Sequence, residues 1–141
     1  MVNIAEELKL KYILLPFIAW GFAGGLKFSI NTIRFGKNAK KMIGYGGFPS
    51  THTTIVSSAV FLVGLTEGFN TPIFSMGLAF LLLVVIDAHG LRNKVGMQAK
   101  ILNNIQNDIM LRESMGHKWY EIIGGLLVGF ILALAASNLA I

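Results

Sequence analysis

Cysteine is absent from the chain, so disulfides and thiolate metal sites are excluded and any chemistry has to come from other side chains. The absence leaves the redox state of the compartment open. Charge is scarce too: 13% of the 141 residues are charged against 54% hydrophobic, and the mean hydropathy of +0.64 is too apolar for an ordinary soluble domain. Acidic residues are the scarcer sign, 7 against 12 Lys and Arg, which leaves a net charge of +5. In a membrane protein that excess reflects topology and contact with anionic lipid rather than nucleic acid. The N-terminus lacks the purely basic start of a secretory signal, since Glu6 and Glu7 precede Lys9 and Lys11, and the first apolar run is expected to be retained. Internal repeats, low-complexity tracts and a disordered tail are not found.

What remains is dominated by four apolar stretches: Tyr12 to about Ile33, His52 to Leu65, Thr71 to Ile86, and Trp119 to Ile141. A spanning helix needs ~20 mostly apolar residues, so the chain holds about four spans with no room for a separate soluble domain. The expectation is a single all-α membrane domain over residues 1–141, an integral bundle of about four transmembrane helices. The second and third stretches are short, and their flanks carry Ser, Thr and Gly, which suits helices buried among others. Gly21, Gly24 and Gly25, and later Gly124, Gly125 and Gly129, predict close helix contacts of a generic kind and leave a homodimer open. From Gly96 to Leu111, apolar Met97, Ile101, Leu102, Ile105 and Ile109 interleave with polar side chains, which predicts an amphipathic helix lying along the interface.

Four crossings would bring the end of the first span, the start of the second, the end of the third and the start of the fourth to one face. That face then carries Lys27, Arg34, Lys37, Lys40, Lys41, Arg92, Lys94, Lys100, Arg112 and Lys118, against Lys9 and Lys11 on the other. The positive-inside rule places the loop-rich face in the cytoplasm, so the expectation is a protein of the cytoplasmic membrane with its site facing inward.

All three histidines, His52, His89 and His117, fall on that face. Gly44, Gly46 and Gly47 lead through Phe48 and Pro49 into Ser50, Thr51 and His52, a glycine-rich turn feeding a helix start. Free N–H groups and the positive helix end there suit an anion such as phosphate, and Ser50 equally suits a plain N-cap. Lys27, Asn31 and Arg34 recur at i, i+4 and i+7 and share a stripe. A cation in an apolar helix needs a partner or has to snorkel, and the polar stripe points toward phosphate. His117 and Glu121 are i and i+4, a spacing at which a carboxylate orients an imidazole for nucleophilic or acid–base work, or forms an ordinary interfacial pair. Asp87 closes the third apolar run and is followed by His89, Arg92 and Lys94. It suits a salt bridge to a nearby arginine; Mg2+ binding is not favoured, because one carboxylate is a thin coordination set.

Taken together these residues resemble the type 2 phosphatidic acid phosphatase and vanadium haloperoxidase superfamily, and in particular its short divergent membrane branch. Lys27 and Arg34 match the first motif in spacing, with Phe35 in place of its proline. Pro49, Ser50, Thr51 and His52 resemble the second motif, Pro-Ser-Gly-His, and His117 with Glu121 resembles the close of the third with one carboxylate exchanged for the other. Arg112 stands one residue nearer His117 than the third motif's arginine does and lacks the preceding serine. The divergent branch typically shows Gly-Gly-Met-Pro-Ser-Ser-His and then Asp-Ala-x-Gly-x-Arg with Gly-x-Gln-Ala. Here Gly46 to His52, and Asp87, Ala88, Gly90, Arg92, Gly96, Gln98 and Ala99, stand in register, with Asn93 where a second arginine is usual.

The resemblance implies a metal-independent hydrolysis of a lipid phosphomonoester or diphosphate through a phosphohistidine. Phosphatidylglycerophosphate, phosphatidate and polyprenyl diphosphate are the candidate substrates. In that scheme His117 is the nucleophile, Glu121 orients it and His52 is the acid and base. Lys27, Arg34, Ser50 and Arg92 bind the phosphoryl group, with Asp87, Asn31 and Arg112 as additional candidates. The alternative is a non-enzymatic lipid-phosphate binder, carrier or membrane assembly partner. No cofactor is expected under either reading.

Overall fold

The computed structural model describes residues 10–37, 47–105 and 110–139. Over these the chain is all-α, with α1 (Leu10–Phe35), α2 (Thr51–Glu67), α3 (Pro72–Ile86), a π-helical turn (Asp87–Leu91), α4 (Arg92–Ile105) and α5 (Trp119–Ser137). α3, the π turn and α4 run on without a break, so the described residues form four separate helices. Leu10–Phe35, Pro72–Ile105 and Trp119–Ser137 are each long and apolar enough to cross a membrane by length and composition. Of the about four spans expected, three are therefore long enough; α2, one of the two stretches expected to be short, has 17 residues, about 25 Å at the helical rise, and falls short of the other three.

α2 compensates for its shortness by position. Thr53, Thr54, Ser57, Ser58, Val60, Leu62 and Gly64 are all buried, and α1, α3 and α5 pack around it. Its hydroxyls return to the backbone of its own turn: Thr54 Oγ1 donates to Ser50 O at 2.9 Å, Ser58 Oγ to Ile55 O at 2.8 Å and Thr66 Oγ1 to Leu62 O at 2.7 Å. With its hydroxyls satisfied this way the helix can be buried in an apolar bundle without orphaned polar groups. The helices around it do the reverse, presenting Phe17, Ile33, Met76, Leu83 and Ile131 outward, as a lipid-facing surface requires.

Close approach comes from small residues on α5. Gly125 lies against Ser50 O and the Thr53 side chain, and Gly129 against Ser57 and the Ser58 N–H; a Cβ at either position would overlap them. Ser57 Oγ donates across this contact to Gly125 O at 3.3 Å. At the far end Leu15, Leu62, Ala133 and Ala136 close the apolar core. The expectation for the second glycine set therefore holds, and that for the first is corrected. Gly21, Gly24 and Gly25 are exposed, with nothing within 4 Å of where a Cβ would stand, because α1 turns that stripe away from α2.

Four ties fix the directions of the helices. The Tyr12 hydroxyl bonds Thr66 and Glu67, and Lys11 Nζ donates to Leu139 O, which joins the start of α1 to the ends of α2 and α5. Ser50 N donates to Glu121 O at 2.9 Å, and His117 N to Ala88 O at 2.9 Å, which joins the starts of α2 and α5 to the end of α3. One end of the bundle thus gathers the C-terminal part of α1, the entries to α2 and α5, and the π turn.

The amphipathic helix is present as part of α4, with other bounds and another connection than expected. Within the expected range Gly96 to Leu111, helix persists only to Ile105 among the described residues, and it continues α3 instead of standing apart. The face carrying Asn93, Gly96, Ala99 and Asn103 packs on the segment 110–118. Gly96 touches the backbone of Glu113 and Met115, while Asn103 accepts from Leu111 N and donates to Leu111 O, both at 2.8 Å. Ile109 lies outside the described residues.

Candidate active site

The shared end of the bundle carries the reactive side chains. His117 stands one residue ahead of the N-cap of α5, Lys118, and follows Gly116, whose φ of +86° favours glycine. The imidazole is buried at 8% exposure and Glu121 at 7%, and they meet through Nδ1 and Oε2 at 3.0 Å. A carboxylate only accepts, so Nδ1 carries the proton and Nε2 presents its lone pair. Glu121 is the N3 residue of a capping box, and its Oε2 also accepts from Lys118 N at 3.0 Å. One carboxylate oxygen therefore starts the helix and orients the imidazole. Burial holds His117 below the ordinary imidazole value of 6.5, the bond to Glu121 pulls it back up, and the positive charges of Lys27 and Arg92 push it further down.

Around this pair stand groups that act on one another electrostatically. His52, in the first turn of α2 and exposed, lies within electrostatic range of Arg92, His117, Lys27 and Asp87. Lys27, half-buried on α1, lies within electrostatic range of Glu121 and Arg112. Arg112 Nε donates to Ser114 O at 3.3 Å. Asp87 opens the π turn, and its Oδ2 accepts from Arg92 Nε at 2.5 Å, a pair about one third exposed. That is the salt bridge which an acid at the end of an apolar run invites. No three or more His, Asp or Glu among the described residues are placed to hold a metal ion.

Of the candidate residues, Lys27, His52, Asp87, Arg92, Arg112, His117 and Glu121 are brought together. Asn31 and Arg34 continue the stripe of α1 beyond Lys27, and Arg34 is exposed about 10 Å further along the axis. Ser50 is placed differently from a surface ligand. It is fully buried, caps α2 through Thr53 N, shares a 2.8 Å hydrogen bond with Thr53 Oγ1, and gives its own N–H to Glu121 O. The N–H groups of Thr51 and His52 have no acceptor among the described residues. Gly44 and Gly46 of the preceding turn lie outside the described residues, while Gly47 has a φ of +138°.

Two positions carry more than their local patterns suggest. His89 Nδ1 donates to His117 O at 3.1 Å and its ring lies on Trp119, centroids 4.4 Å apart. Asn93 Nδ2 donates to His89 O at 2.6 Å and to His117 O at 3.4 Å. The contacts to His117 and Trp119 span more than twenty residues of chain, so spacing alone could not reveal them; the departure from arginine at 93 is the only sequence signal.

Residues 8–132 match the family model described as "Divergent PAP2 family". The "Uncharacterized membrane protein YuiD" of Bacillus subtilis (strain 168) is 28% identical over 112 residues, which covers 65% of this chain and 71% of that protein. No solved structure matches the chain.

Proposed function

The chain belongs to the Divergent PAP2 family, and from that premise we propose that it is a lipid-phosphate phosphatase working through a phosphohistidine. The observation that carries the reading is the buried His117–Glu121 pair, which fixes the proton on Nδ1 and leaves the Nε2 lone pair to the site. The Nε2 lone pair attacks phosphorus while the bond to the lipid oxygen breaks, and His52 gives that oxygen a proton. His52 then takes a proton from water, the water oxygen attacks phosphorus, and the P–N bond breaks to release phosphate and neutral His117.

Lys27 and Arg92 hold the phosphoryl oxygens together with the open N–H groups of Thr51 and His52, where charge grows in the transition state. Arg34 lies further out on α1, where it meets the anionic headgroup region. Ser50 contributes by shaping the entry of α2. Trp119 and Tyr120, exposed beside His117, mark interfacial depth, which suits a substrate with its phosphate at headgroup level and its tail in lipid. On the positive-inside count the site faces the cytoplasm, which favours phosphatidylglycerophosphate among the candidates.

A lipid-phosphate binder is the second reading: Arg92 Nε is bound to Asp87 and the Ser50 hydroxyl to Thr53, so two groups called on to stabilise charge growing in the transition state are engaged before substrate arrives. Phosphate release from a panel of lipid phosphates, with and without EDTA, separates the readings. The phosphatase reading expects turnover that EDTA leaves intact and that His117→Ala and His52→Ala both abolish. Binding of the same lipids without any release would establish the binder, and turnover lost to EDTA would point to a metal route through Asp87.

A further inference from the structure

His117 has four polar groups, and three of them are held. Its N–H donates to Ala88 O at 2.9 Å, its carbonyl accepts from His89 Nδ1 at 3.1 Å and from Asn93 Nδ2 at 3.4 Å, and its Nδ1 is bound to Glu121 at 3.0 Å. Nε2 is the group without a partner among the described residues. The backbone on both sides of the residue is therefore gripped by the π turn and the first turn of α4, elements distant in sequence.

Such support is needed because His117 stands outside α5. It follows a glycine of positive φ in a segment without regular structure, so helical geometry does not fix where its backbone lies. A loop residue that must present one ring nitrogen in line with phosphorus needs anchoring from elsewhere, since a misplacement of about 1 Å can cost on the order of 10²-fold in rate.

We propose that Asn93 is the positioning residue of this site, holding the backbone at His117, with His89 as the second donor, so that Nε2 faces the substrate. The chemistry fits asparagine closely. Two carbonyls, His89 O and His117 O, converge on one amide nitrogen, whose two hydrogens match them. An aspartate of the same shape would set acceptor against acceptor. Gly116 lies so near the Asn93 amide that any Cβ would overlap it, so the loop sits flush on this side chain. The 2.6 Å bond to His89 O keeps the amide from turning away, and the stacking of His89 on Trp119 ties the same anchor to the first residue of α5.

The kinetic consequence rests on the phosphatase reading; the geometric one does not, and the test reads both. The purified full chain in detergent is treated with diethyl pyrocarbonate, which attacks neutral imidazole nitrogen, and modification of His117 and His52 is followed separately by mass spectrometry, alongside kcat and KM on a lipid phosphate. In Asn93→Asp the His117 modification rate is expected to change by roughly threefold or more while His52 keeps its own, and kcat to fall by about tenfold or more with KM within about threefold. Asn104→Asp, on an exposed residue of the same helix, is expected to change neither. Should Asn93→Asp not elute as a folded particle, His89→Phe removes the second donor while keeping a ring against Trp119 and is expected to shift the same two readouts. An unchanged His117 modification rate in a folded Asn93→Asp or His89→Phe protein overturns the proposal. A wild type without turnover, but with a His117 rate altered by Asn93→Asp, sinks the phosphatase reading and leaves the positioning role standing.

Discussion

Burying an imidazole beside a buried carboxylate sets a pH window at His117. Its folded value lies below the 6.5 of the exposed group, chiefly through loss of solvent, so the neutral form persists to more acidic pH than in an unstructured chain. The acid limb of kcat/KM is accordingly expected below 6.5, read from a pH profile. The same shift bears on stability with a definite sign. Between the folded and unfolded values the unfolded chain binds more protons, so acidification through that window weakens the fold, and the loss is complete below the folded value. Glu121→Gln removes the influence that raises the pKa, so the acid limb moves lower still. A glutamine there can also offer an N–H to Nδ1 and favour the wrong tautomer, with an expected loss in kcat on the order of 10²–10⁴. The His117–Glu121 pair was visible from its i, i+4 spacing, because both residues lie at one helix start. The grip of His89 and Asn93 was not, because it depends on how α4 folds back on residues 110–118.

Among the elements, the apolar runs announced the helices by length and lack of charge, and their ends moved by only a few residues at most described boundaries. What spacing could not tell was which glycines touch another helix. Gly24 and Gly125 look alike in sequence, yet one faces open space and the other the backbone of Ser50. Gly125→Ala is expected to cost about 1–3 kcal/mol by forcing α5 off α2, whereas Gly24→Ala is expected to be neutral or to gain up to about 1 kcal/mol from helix propensity. Thermal unfolding of the two variants in one detergent checks the contrast, and equal losses would contradict the packing described. The π turn was likewise hidden. Nothing in Asp-Ala-His-Gly-Leu distinguishes five residues of wider helix from a loop, so the sequence gives no sign that the amphipathic helix continues α3.

For the whole molecule, counting crossings puts four helix ends at one face, and the backbone ties of Ser50 to Glu121 and His117 to Ala88 at that face, with the Tyr12–Thr66 side-chain bond at the other, agree with it. The side of the membrane is open to direct measurement, since a chain without cysteine accepts single reporters cleanly. Lys94→Cys and Asn70→Cys, exposed at opposite ends of the bundle, are expected to react with a membrane-impermeant maleimide from opposite sides, Lys94→Cys only from the cytoplasm. Labelling of Lys94→Cys from outside would invert the orientation. The unbroken helix through the π turn has a mechanical consequence. α3 measures about 22 Å from Pro72 to Ile86, less than the ~30 Å of a typical hydrocarbon core. A helix crossing such a core would draw on the π turn and α4 as well, so the rod that spans the bilayer would also be the arm that carries the grip on His117, and on the phosphatase reading the thickness of the surrounding lipid would bear on the depth at which the imidazole meets its phosphate.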